Sequence, residues 1–228
     1  MSKADPARSP AGGGHEARLS RASVHRFSLY LRHLQRFLRE GAQTVSSSQL
    51  GEALGITDAQ VRKDLAYLGN LGQPGIGYPA QELIAALRQR LGIDRSWTAV
   101  IVGIGNLARA LLRYRGFEQQ GFKFVGLFDA DPAKVGQTVD GLEIYALEKM
   151  SAVVAQSGAE LGVVAVPAEA AQNVADDLVN AGIRGILNFA PIVLKLPAHV
   201  SLVAVDLAVQ LEQLAFLVHL GEANGKEN

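Results

Sequence analysis

The segment that most constrains the fold of this chain is residues 98–131, which reads as a strand, a tight turn, a helix, a second strand and an acidic residue. An apolar, β-branched run at 99–102 leads into Gly-Ile-Gly-Asn-Leu-Ala at 103–108, and Asp129 follows a second apolar run at 124–128. This spacing of two glycines, a small residue and an acid is typical of the dinucleotide-binding βαβ unit. The segment therefore predicts the start of a parallel sheet that binds a nucleotide.

Each residue type in the turn suits nucleotide binding for a physical reason. Gly103 allows a sharp turn, Gly105 has no side chain to hold a pyrophosphate away from the backbone, and Ala108 lets the helix pack closely on the strand. Phosphates would lie on the helix N-terminus, where unpaired N–H groups and the helix dipole favour negative charge. Asp129, with no arginine beside it, favours a ribose with free hydroxyls and hence NAD over NADP. A merely structural strand-to-helix turn is the alternative.

Further strands are predicted at 161–166, 186–189 and 202–205, with a helix at 168–181 between the first two. Alternating strands and helices predict a parallel sheet covered on both faces, with ligand at the carboxyl ends of the strands. The predicted cofactors are NADH and NAD. The predicted cofactor-binding residues are Gly103, Ile104, Gly105, Asn106, Leu107, Ala108, Asp129, Val166, Pro167, Asn188 and Phe189.

The predicted strand ends lack groups for catalysis. Hydride transfer needs an acid or base beside the nicotinamide and a place for substrate, and the sequence offers neither. The five histidines do not directly follow a predicted strand, and the chain has no cysteine for a nucleophile or a thiolate metal site. We therefore predict no catalytic residue, no metal and no enzyme activity, with an NAD-dependent oxidoreductase as the alternative.

The N-terminal part predicts a DNA-binding domain. Residues 1–80 carry 10 Lys and Arg against 6 Asp and Glu, although the whole chain has a formal charge of zero. An amphipathic helix at 20–39 precedes two short helices, whose starts at Ser46 and Thr57 each have the pattern of a capping box. Two short helices across a glycine turn are typical of a helix-turn-helix, and the glycine-rich segment 70–78 is typical of a wing hairpin. A three-helix bundle with an ordinary charged face is the alternative.

The predicted recognition helix carries polar side chains on its early turns. Gln and Arg can bond base edges, and Lys and Arg can neutralise phosphates. The predicted partner is double-stranded operator DNA, and the predicted DNA-binding residues are Ser47, Ser48, Thr57, Gln60, Arg62, Lys63, Tyr67 and Gly77.

The last helix, at 207–220, is apolar on most sides, so it must be buried. Because little chain remains to cover it, we predict a homodimer formed by this helix, by exchange or by side-by-side packing. Residues 1–16 lack an apolar signal core, and no run of some 18 apolar residues follows. Without cysteines or a targeting segment, we expect a cytoplasmic protein with no membrane partner.

Six motifs occur in order along the chain, and they are Tyr30-Leu31-Arg32, Gln60-Val61-Arg62-Lys63-Asp64-Leu65, Gly75-Ile76-Gly77-Tyr78, Val102-Gly103-Ile104-Gly105, Phe128-Asp129-Ala130-Asp131-Pro132 and Gly185-Ile186-Leu187-Asn188-Phe189-Ala190-Pro191. With the features above, these motifs resemble the Rex family of redox-sensing transcriptional repressors over about residues 18–220. The resemblance implies a homodimer that represses respiratory or fermentative genes at a low NADH/NAD ratio and leaves operator DNA when NADH binds. It also implies an interdomain switch formed by Arg32, Tyr114 and Asp206.

One departure from the family lies in the wing, where Gln73-Pro74 stands in place of the usual Arg or Lys before Gly75.

The predicted fold is α/β, with a winged-helix domain, a Rossmann domain and a C-terminal dimerisation helix. The expected segments are a disordered tail (1–17), the winged helix (18–80), a linker helix (81–96), the Rossmann domain (97–206) and the dimerisation helix with its tail (207–228). A CoA- or nucleotide-binding subunit is a further alternative.

Overall fold

The computed structural model describes residues 19–224, so the predicted disordered tail at 1–17 lies outside the described residues. The chain divides into two compact units, with the boundary between Asp94 and Arg95. The helices and strands of the first unit are α1 (Arg21–Arg39), β1 (Thr44–Val45), α2 (Ser47–Leu54), α3 (Asp58–Leu65), β2 (Tyr78–Pro79) and α4 (Ala80–Arg90).

Helix α1 is the centre of the first unit. Phe27, Leu31 and Leu34 recur every three or four residues and are buried in one core cluster with residues of α2, α3 and α4. The predicted apolar stripe is therefore correct at these positions, whereas Val24 at its start is exposed. Burying one such side chain stabilises the fold by about 1.5–3 kcal/mol, so this stripe fixes α1 in the unit.

Helix α4 corrects the predicted domain boundary. The sequence predicts a linker helix over 81–96, but Leu83 and Leu87 are fully buried in the same core as α1. The compact unit extends to Asp94. Helix α4 is therefore a core helix of the first unit, which ends 14 residues after residue 80, the predicted end of the winged-helix domain.

A small antiparallel ribbon forms the wing. Strand β1 pairs with β2, with Thr44 opposite Pro79 and Val45 opposite Tyr78. At the tip, the N–H groups of Gln73 and Gly77 each donate to the carbonyl of the other residue, at 2.8 and 2.9 Å. The glycine-rich segment therefore forms the predicted hairpin, and the paired residues at its base include a strand at 44–45 that the sequence did not reveal.

Within the described residues, the second unit contains a seven-stranded sheet in the order β5-β6-β4-β3-β7-β8-β9. All its neighbouring strands are parallel except β5 and β6. The strands are β3 (Trp97–Val102), β4 (Phe122–Phe128), β5 (Thr138–Val139), β6 (Leu142–Tyr145), β7 (Leu161–Val164), β8 (Gly185–Asn188) and β9 (Ser201–Ala204). The helices are α5 (Asn106–Arg113), α6 (Gly116–Gln119), α7 (Met150–Ser157), α8 (Ala168–Asn180) and α9 (Leu207–Asn224).

The strand order places a switch point between β3 and β7. The chain moves from β3 to β4 on one side and later returns to β7 on the other side of β3. In open parallel sheets, ligands bind at such a point, beyond the carboxyl ends of the strands. The sequence predicted these strands to within one or two residues, but it did not reveal the hairpin β5–β6 or helix α7.

Within the described residues of this chain, the sheet is fully covered on one face only, whereas the sequence predicted cover on both faces. Helices α7 and α8 pack on one face, and α5 covers part of the other. The rest of the second face forms an apolar groove of about 420 Å³. Its lining includes Phe124, Leu161, Leu187 and Val203, and Val203 is 60% exposed. A Rossmann sheet with an open apolar face has one side available for packing.

Candidate nucleotide cleft and DNA-binding surface

Gly103 forms the turn where β3 ends. Its φ of +91° lies in the region that favours glycine. A Cβ at this position would lie 2.6 Å from the carbonyl oxygen of Ala165, just past β7. The position therefore needs glycine both for the turn and for the close approach of the two strand ends.

Gly105 has a different role from Gly103. Of the atoms that the structure describes, none lies within 4 Å of a Cβ built on Gly105, and the residue lines a cleft. Gly105 is also the N-cap of α5, and no described side chain caps this helix end. The first N–H groups of α5 are therefore free to bind an anion, and Ala108, fully buried below them, holds the helix on the sheet.

The cleft of about 240 Å³ lies beside this turn, beyond the ends of β3, β4 and β7. Gly103, Gly105 and Asp129 line one part of it, and Val166 and Pro167 line another. Five of the predicted cofactor-binding residues thus come together at the switch point. The open space at Gly105 and the uncapped helix fit a pyrophosphate, and the acid fits a ribose.

Asp129 is buried, with 7% of its surface exposed, and accepts three hydrogen bonds. Oδ2 accepts from the Ile104 N–H at 2.7 Å and from Nζ of Lys134 at 2.9 Å, and Oδ1 accepts from the Asp131 N–H at 2.9 Å. Burial alone would raise the pKa of the Asp129 carboxyl, but these donors outweigh it and lower the pKa below its usual value. Asp129 is therefore a carboxylate at neutral pH.

Lys134 is the residue of the cleft that the sequence reasoning missed. It lines the cleft and pairs with Asp129. No arginine stands beside Asp129 in the sequence, and the cation that pairs with it comes five residues later, in an irregular turn. The Asp129-Ala130-Asp131-Pro132 segment was a signal for this turn, because acids and proline there favour a tight return of the chain.

Two predicted cofactor residues lie away from the cleft. Asn188 is fully buried, and its amide holds the following loop by donating to the carbonyls of Ala190 and Ile192 and accepting from the Ala190 N–H. Phe189 packs against the apolar cluster under α5. Contact of these two residues with a nicotinamide therefore stays a prediction, and the structure gives Asn188 a loop-stabilising role. Ile104 contributes its backbone N–H, while its side chain is buried.

Helices α2 and α3 form the helix-turn-helix. Ser46 and Gln49 make the predicted capping box at α2, with both reciprocal hydrogen bonds present. At α3, the Thr57 hydroxyl accepts from the Gln60 N–H, but the Gln60 side chain donates to Asp64 instead of returning to Thr57. The second predicted capping box is thus only half formed, because a buried carboxylate competes for the glutamine amide.

The basic residues of α3 are exposed. Arg62 donates to Asp58 at 2.6 Å and to Ser47 on α2 at 3.2 Å, so it bridges the two helices. Lys63 and Tyr67 are exposed on the same segment, as is Ser48 on α2. These residues leave cations and hydroxyls facing solvent, as phosphate contacts require.

A cleft of about 480 Å³ separates this surface from the wing. Its lining includes Ser47, Arg62 and Gly77. Gly77 has a φ of +97°, and a Cβ there would lie 2.8 Å from the carbonyl oxygen of Val45. Glycine at 77 therefore positions the wing, and its predicted contact with DNA stays a prediction.

A buried polar network joins α3 to α1. The carboxylate of Asp64 accepts from Arg26 at 2.5 and 2.8 Å, from the Tyr30 hydroxyl at 2.8 Å and from Gln60 at 2.9 Å. Burial would raise the pKa of Asp64, but the donors outweigh it and lower the pKa, while burial raises that of Tyr30. The network fixes the orientation of α3 on α1.

Two protein-family models match this chain, one in each of its two units. The sequence model described as "Putative DNA-binding protein N-terminus" matches residues 18–66, and the one described as "CoA binding domain" matches residues 94–192. The redox-sensing transcriptional repressor Rex of Carboxydothermus hydrogenoformans is 46% identical over 87% of this chain and 96% of its own length. The Rex protein of Pelotomaculum thermopropionicum is 47% identical, over 86% of this chain and 92% of its own.

This chain belongs to the Rex family. A crystal structure of RSP, a Rex-family repressor, has a TM-score of 0.83 and 34% identity, and covers 92% of this chain and 98% of its own. RSP with β-NAD⁺ and operator DNA has a TM-score of 0.85 and 35% identity, with 92% of this chain and 97% of RSP covered. The family and fold class are therefore confirmed.

The Rex relatives decide between the alternatives. They are transcriptional repressors and not enzymes, which confirms the prediction that the chain is not an oxidoreductase. The match to a CoA-binding domain is limited to the Rossmann unit, whereas the Rex relatives also cover the helix-turn-helix. Among the described residues, no helix is both long and apolar enough to cross a membrane, and no group of three or more His, Cys, Asp or Glu could hold a metal.

The three residues that the Rex resemblance assigns to the switch occupy different elements. Arg32 is exposed on α1 of the first unit. Tyr114 is the C-cap of α5 and is 59% exposed, and its ring centroid lies 5.1 Å from that of Phe117 in a T-shaped pair. Asp206 accepts from the N–H groups of Ala208 and Val209, so it caps the start of α9. The sequence did not reveal this capping role.

Proposed function

We propose that this chain is a homodimeric repressor that binds operator DNA through α2, α3 and the wing, and that NADH in the Rossmann cleft releases it. The observation that carries the proposal is one nucleotide cleft and one helix-turn-helix in a single chain of the Rex family. RSP of that family forms complexes with β-NAD⁺ and operator DNA and with β-NADH. The proposal includes a cytoplasmic location, where the protein would meet operator DNA.

The cleft is suited to hold the adenosine half of NAD(H). The N–H groups at the start of α5 would bind the pyrophosphate, Gly105 would let it approach, and Asp129 would accept from the adenosine ribose. Val166 and Pro167 would lie against the nucleotide at the switch point. The nicotinamide acts here as a ligand whose redox state is sensed.

Dimer formation is supported by α9. Its apolar residues are exposed on every side of the helix from Leu207 to Leu220, and Leu211 and Phe216 are 66% and 60% exposed. A helix of 18 residues is about 27 Å long, so a single chain leaves a large apolar surface in water. The apolar groove on the open sheet face is the matching surface, and α9 of a second copy is the occupant that the proposal assigns to it.

A gel-shift titration tests the function. Promoter fragments from the same genome are titrated with the protein, with NADH, with NAD or without nucleotide, at two salt concentrations. We expect binding that weakens with NADH, and with salt because phosphate contacts release counterions. Protein that binds NADH but never DNA would contradict the repressor function.

The DNA surface is tested by a matched pair of variants. Arg62→Ala with Lys63→Ala removes the two exposed cations of α3, so we expect at least a tenfold loss of DNA affinity with unchanged NADH affinity. Lys123→Ala with Lys149→Ala removes two cations from the other unit and serves as the control. Equal DNA affinity of both double variants would contradict the assignment of α3.

A further inference from the structure

The carboxylate of Asp129 has little capacity left for a ribose. Each carboxylate oxygen can accept about two hydrogen bonds. Oδ2 already accepts from the Ile104 N–H at 2.7 Å and from the Lys134 ammonium at 2.9 Å, while Oδ1 accepts from the Asp131 N–H at 2.9 Å. Asp129 therefore has one free position, on Oδ1, whereas the diol of an adenosine ribose presents two hydroxyls.

Lys134 is placed to provide the second contact. Its ammonium has three N–H donors, and in the described part of the chain its hydrogen-bond partner is Asp129. The side chain is 33% exposed and lines the same cleft as Gly105. The turn after Asp129 directs Lys134 back to the cleft, because the Lys134 N–H donates to the Asp131 carbonyl at 2.9 Å and Asp131 Oδ1 accepts from the Ala133 N–H.

We propose that Lys134 is a ribose-binding residue and that Asp129 and Lys134 share the vicinal diol of the adenosine ribose, one hydroxyl each. Asp129 accepts a hydrogen bond from one hydroxyl at Oδ1, and Lys134 donates to the oxygen of the other. The existing bonds of Asp129 to Ile104 and Lys134 stay intact. This inference rests on the proposed binding of NAD(H) and names a specificity residue within that site.

The pairing also changes the basis of the choice between NAD and NADP. A lone carboxylate would repel a 2′-phosphate by its charge, but the Asp129–Lys134 pair is close to neutral overall. Rejection of the phosphate must then depend on the lost hydroxyl contact and on the space beside the pair. Lys134 is thus a residue that sets the strength of this discrimination.

A cycle of protein and ligand changes tests the inference. Three nucleotides are used: NADH and its analogues that lack the 2′- or the 3′-hydroxyl of the adenosine ribose. Their affinities are measured by calorimetry for the wild type, Lys134→Met and Lys134→Arg. Lys123→Met is the control, because Lys123 lies on β4 outside the cleft lining. Thermal unfolding of each variant shows whether it is folded, and Lys134→Leu, which likewise has no donor, replaces Lys134→Met if that variant is not.

In the wild type, we expect each hydroxyl deletion to weaken binding about tenfold, since each removes a hydrogen bond to a charged group. In Lys134→Met, one of the two deletions should have almost no further effect, while the other, at the Asp129 contact, still costs about tenfold. Lys134→Arg should retain both effects, as should Lys123→Met. The hydroxyl whose deletion does not change the affinity of Lys134→Met is the one that Lys134 binds in the wild type.

Additive effects would overturn the inference. If both deletions cost as much in Lys134→Met as in the wild type, Lys134 acts only by orienting Asp129, or not at all. A wild type that binds none of the three nucleotides would contradict the proposed function itself, and the inference with it. If the wild type binds NADH but the effects of Lys134→Met and of the hydroxyl deletions are additive, the inference is wrong and the proposed function is unaffected.

Discussion

The side-chain amide nitrogen of Gln60 donates to Asp64 at 2.9 Å, across one turn of the recognition helix α3. Asp64 is buried and accepts only, so the amide of Gln60 has a fixed orientation, with Nε2 turned to the carboxylate. Gln60 itself is partly exposed. Its oxygen is then the atom that faces away from the buried acid.

This orientation predicts how Gln60 reads DNA. An amide oxygen accepts from an exocyclic amino group, N6 of adenine or N4 of cytosine, and a free glutamine could also donate to N7 of adenine. We expect Gln60 to select an amino group through its oxygen. With operators chosen from a random library, Gln60→Met should lose the preference at one position of each half-site.

Single-atom analogues then test the contact. If that position is adenine, replacing it by purine removes the N6 amino group and should weaken binding about tenfold, whereas 7-deazaadenine should bind like adenine. Gln60→Met should respond to neither analogue. Loss of affinity with 7-deazaadenine would show that Nε2 also contacts the base and would refute the fixed orientation.

The buried Asp64 predicts a large effect on stability. Asp64→Asn removes the negative charge but leaves Arg26 partly buried beside it, so we expect a loss of about 3 kcal/mol or more in the free energy of unfolding. Asp58→Asn, which affects an exposed and solvent-screened pair with Arg62, should change the free energy of unfolding far less than Asp64→Asn does. Urea unfolding of both variants gives the comparison, and similar losses would mean that the network does not hold α3.

The same carboxylate gives a pH dependence. The pKa of Asp64 is lowered in the folded protein, so its contribution to stability is complete above its unfolded pKa of about 3.9 and is lost as the pH falls through the folded value. Asp129 has a lowered pKa as well and acts in the same direction. We therefore expect the wild type to lose stability below about pH 4 more steeply than Asp64→Asn, as measured by urea unfolding at several pH values.

The two glycines of the nucleotide turn should differ when replaced. Gly103→Ala forces a side chain into a φ of +91° and against the Ala165 carbonyl, so we expect a loss of roughly 2 kcal/mol or more in stability. Gly105→Ala meets open space among the described atoms and should leave stability almost unchanged. Its added methyl group faces the cleft, so NADH affinity should fall at least tenfold. Normal NADH affinity in a stable Gly105→Ala would mean that the pyrophosphate binds elsewhere.

The sequence could predict the local parts of this site. Gly103, Gly105, Ala108 and Asp129 lie within one βαβ unit, where spacing along the chain largely determines position in space. Lys134 could not be found in this way, because it lies in a turn without periodicity and its importance depends on a contact with the end of β4. Helical spacing alone likewise predicts α4 but not whether α1 covers it.

Hydrogen bonds of buried polar groups explain two other differences. Asn188 was expected to face the ligand because it ends a strand, but its amide has three partners in the loop that follows. Gln60 has the spacing of a capping box, yet the Asp64 carboxylate is buried and competes for its amide. In both cases a buried polar group, Asn188 or Asp64, needed hydrogen-bond partners, and its burial depends on the fold and not on the local spacing.

Helix α9 should control assembly. Leu211 and Phe216 are exposed apolar residues in the single chain. Replacing both by Glu therefore adds charges at exposed positions and should not disturb the fold of the single chain. We expect the wild type to sediment as a dimer and this variant as a monomer, with DNA affinity reduced because a monomer contacts one half-site. Glu212→Lys with Gln213→Lys, two exposed polar positions on the same helix, is the control. A dimeric Glu variant would show that another surface joins the subunits.

The interdomain switch that the Rex resemblance implies can be tested apart from the cap of α9, although Asp206 belongs to both. Its Oδ1 accepts from the N–H groups of Ala208 at 2.9 Å and Val209 at 3.2 Å, and Asn is as good an N-cap as Asp. Asp206→Asn therefore keeps α9 capped but removes the charge that a pair with Arg32 would need. An Arg–carboxylate pair is both strong and oriented, and allosteric coupling is typically about 1–3 kcal/mol.

We expect Asp206→Asn to remain a dimer and to bind NADH, while the ratio of operator affinities without and with NADH shrinks by about fivefold or more. Asp206→Ala should show the same loss of response together with a weaker α9, because it also lacks the cap. The ratio is measured by fluorescence anisotropy at several NADH concentrations, with Asp140→Asn as a control for the loss of one surface charge. A ligand shifts an equilibrium only through its different affinity for the two states, so an unchanged ratio in Asp206→Asn would mean that this carboxylate contributes nothing to that difference.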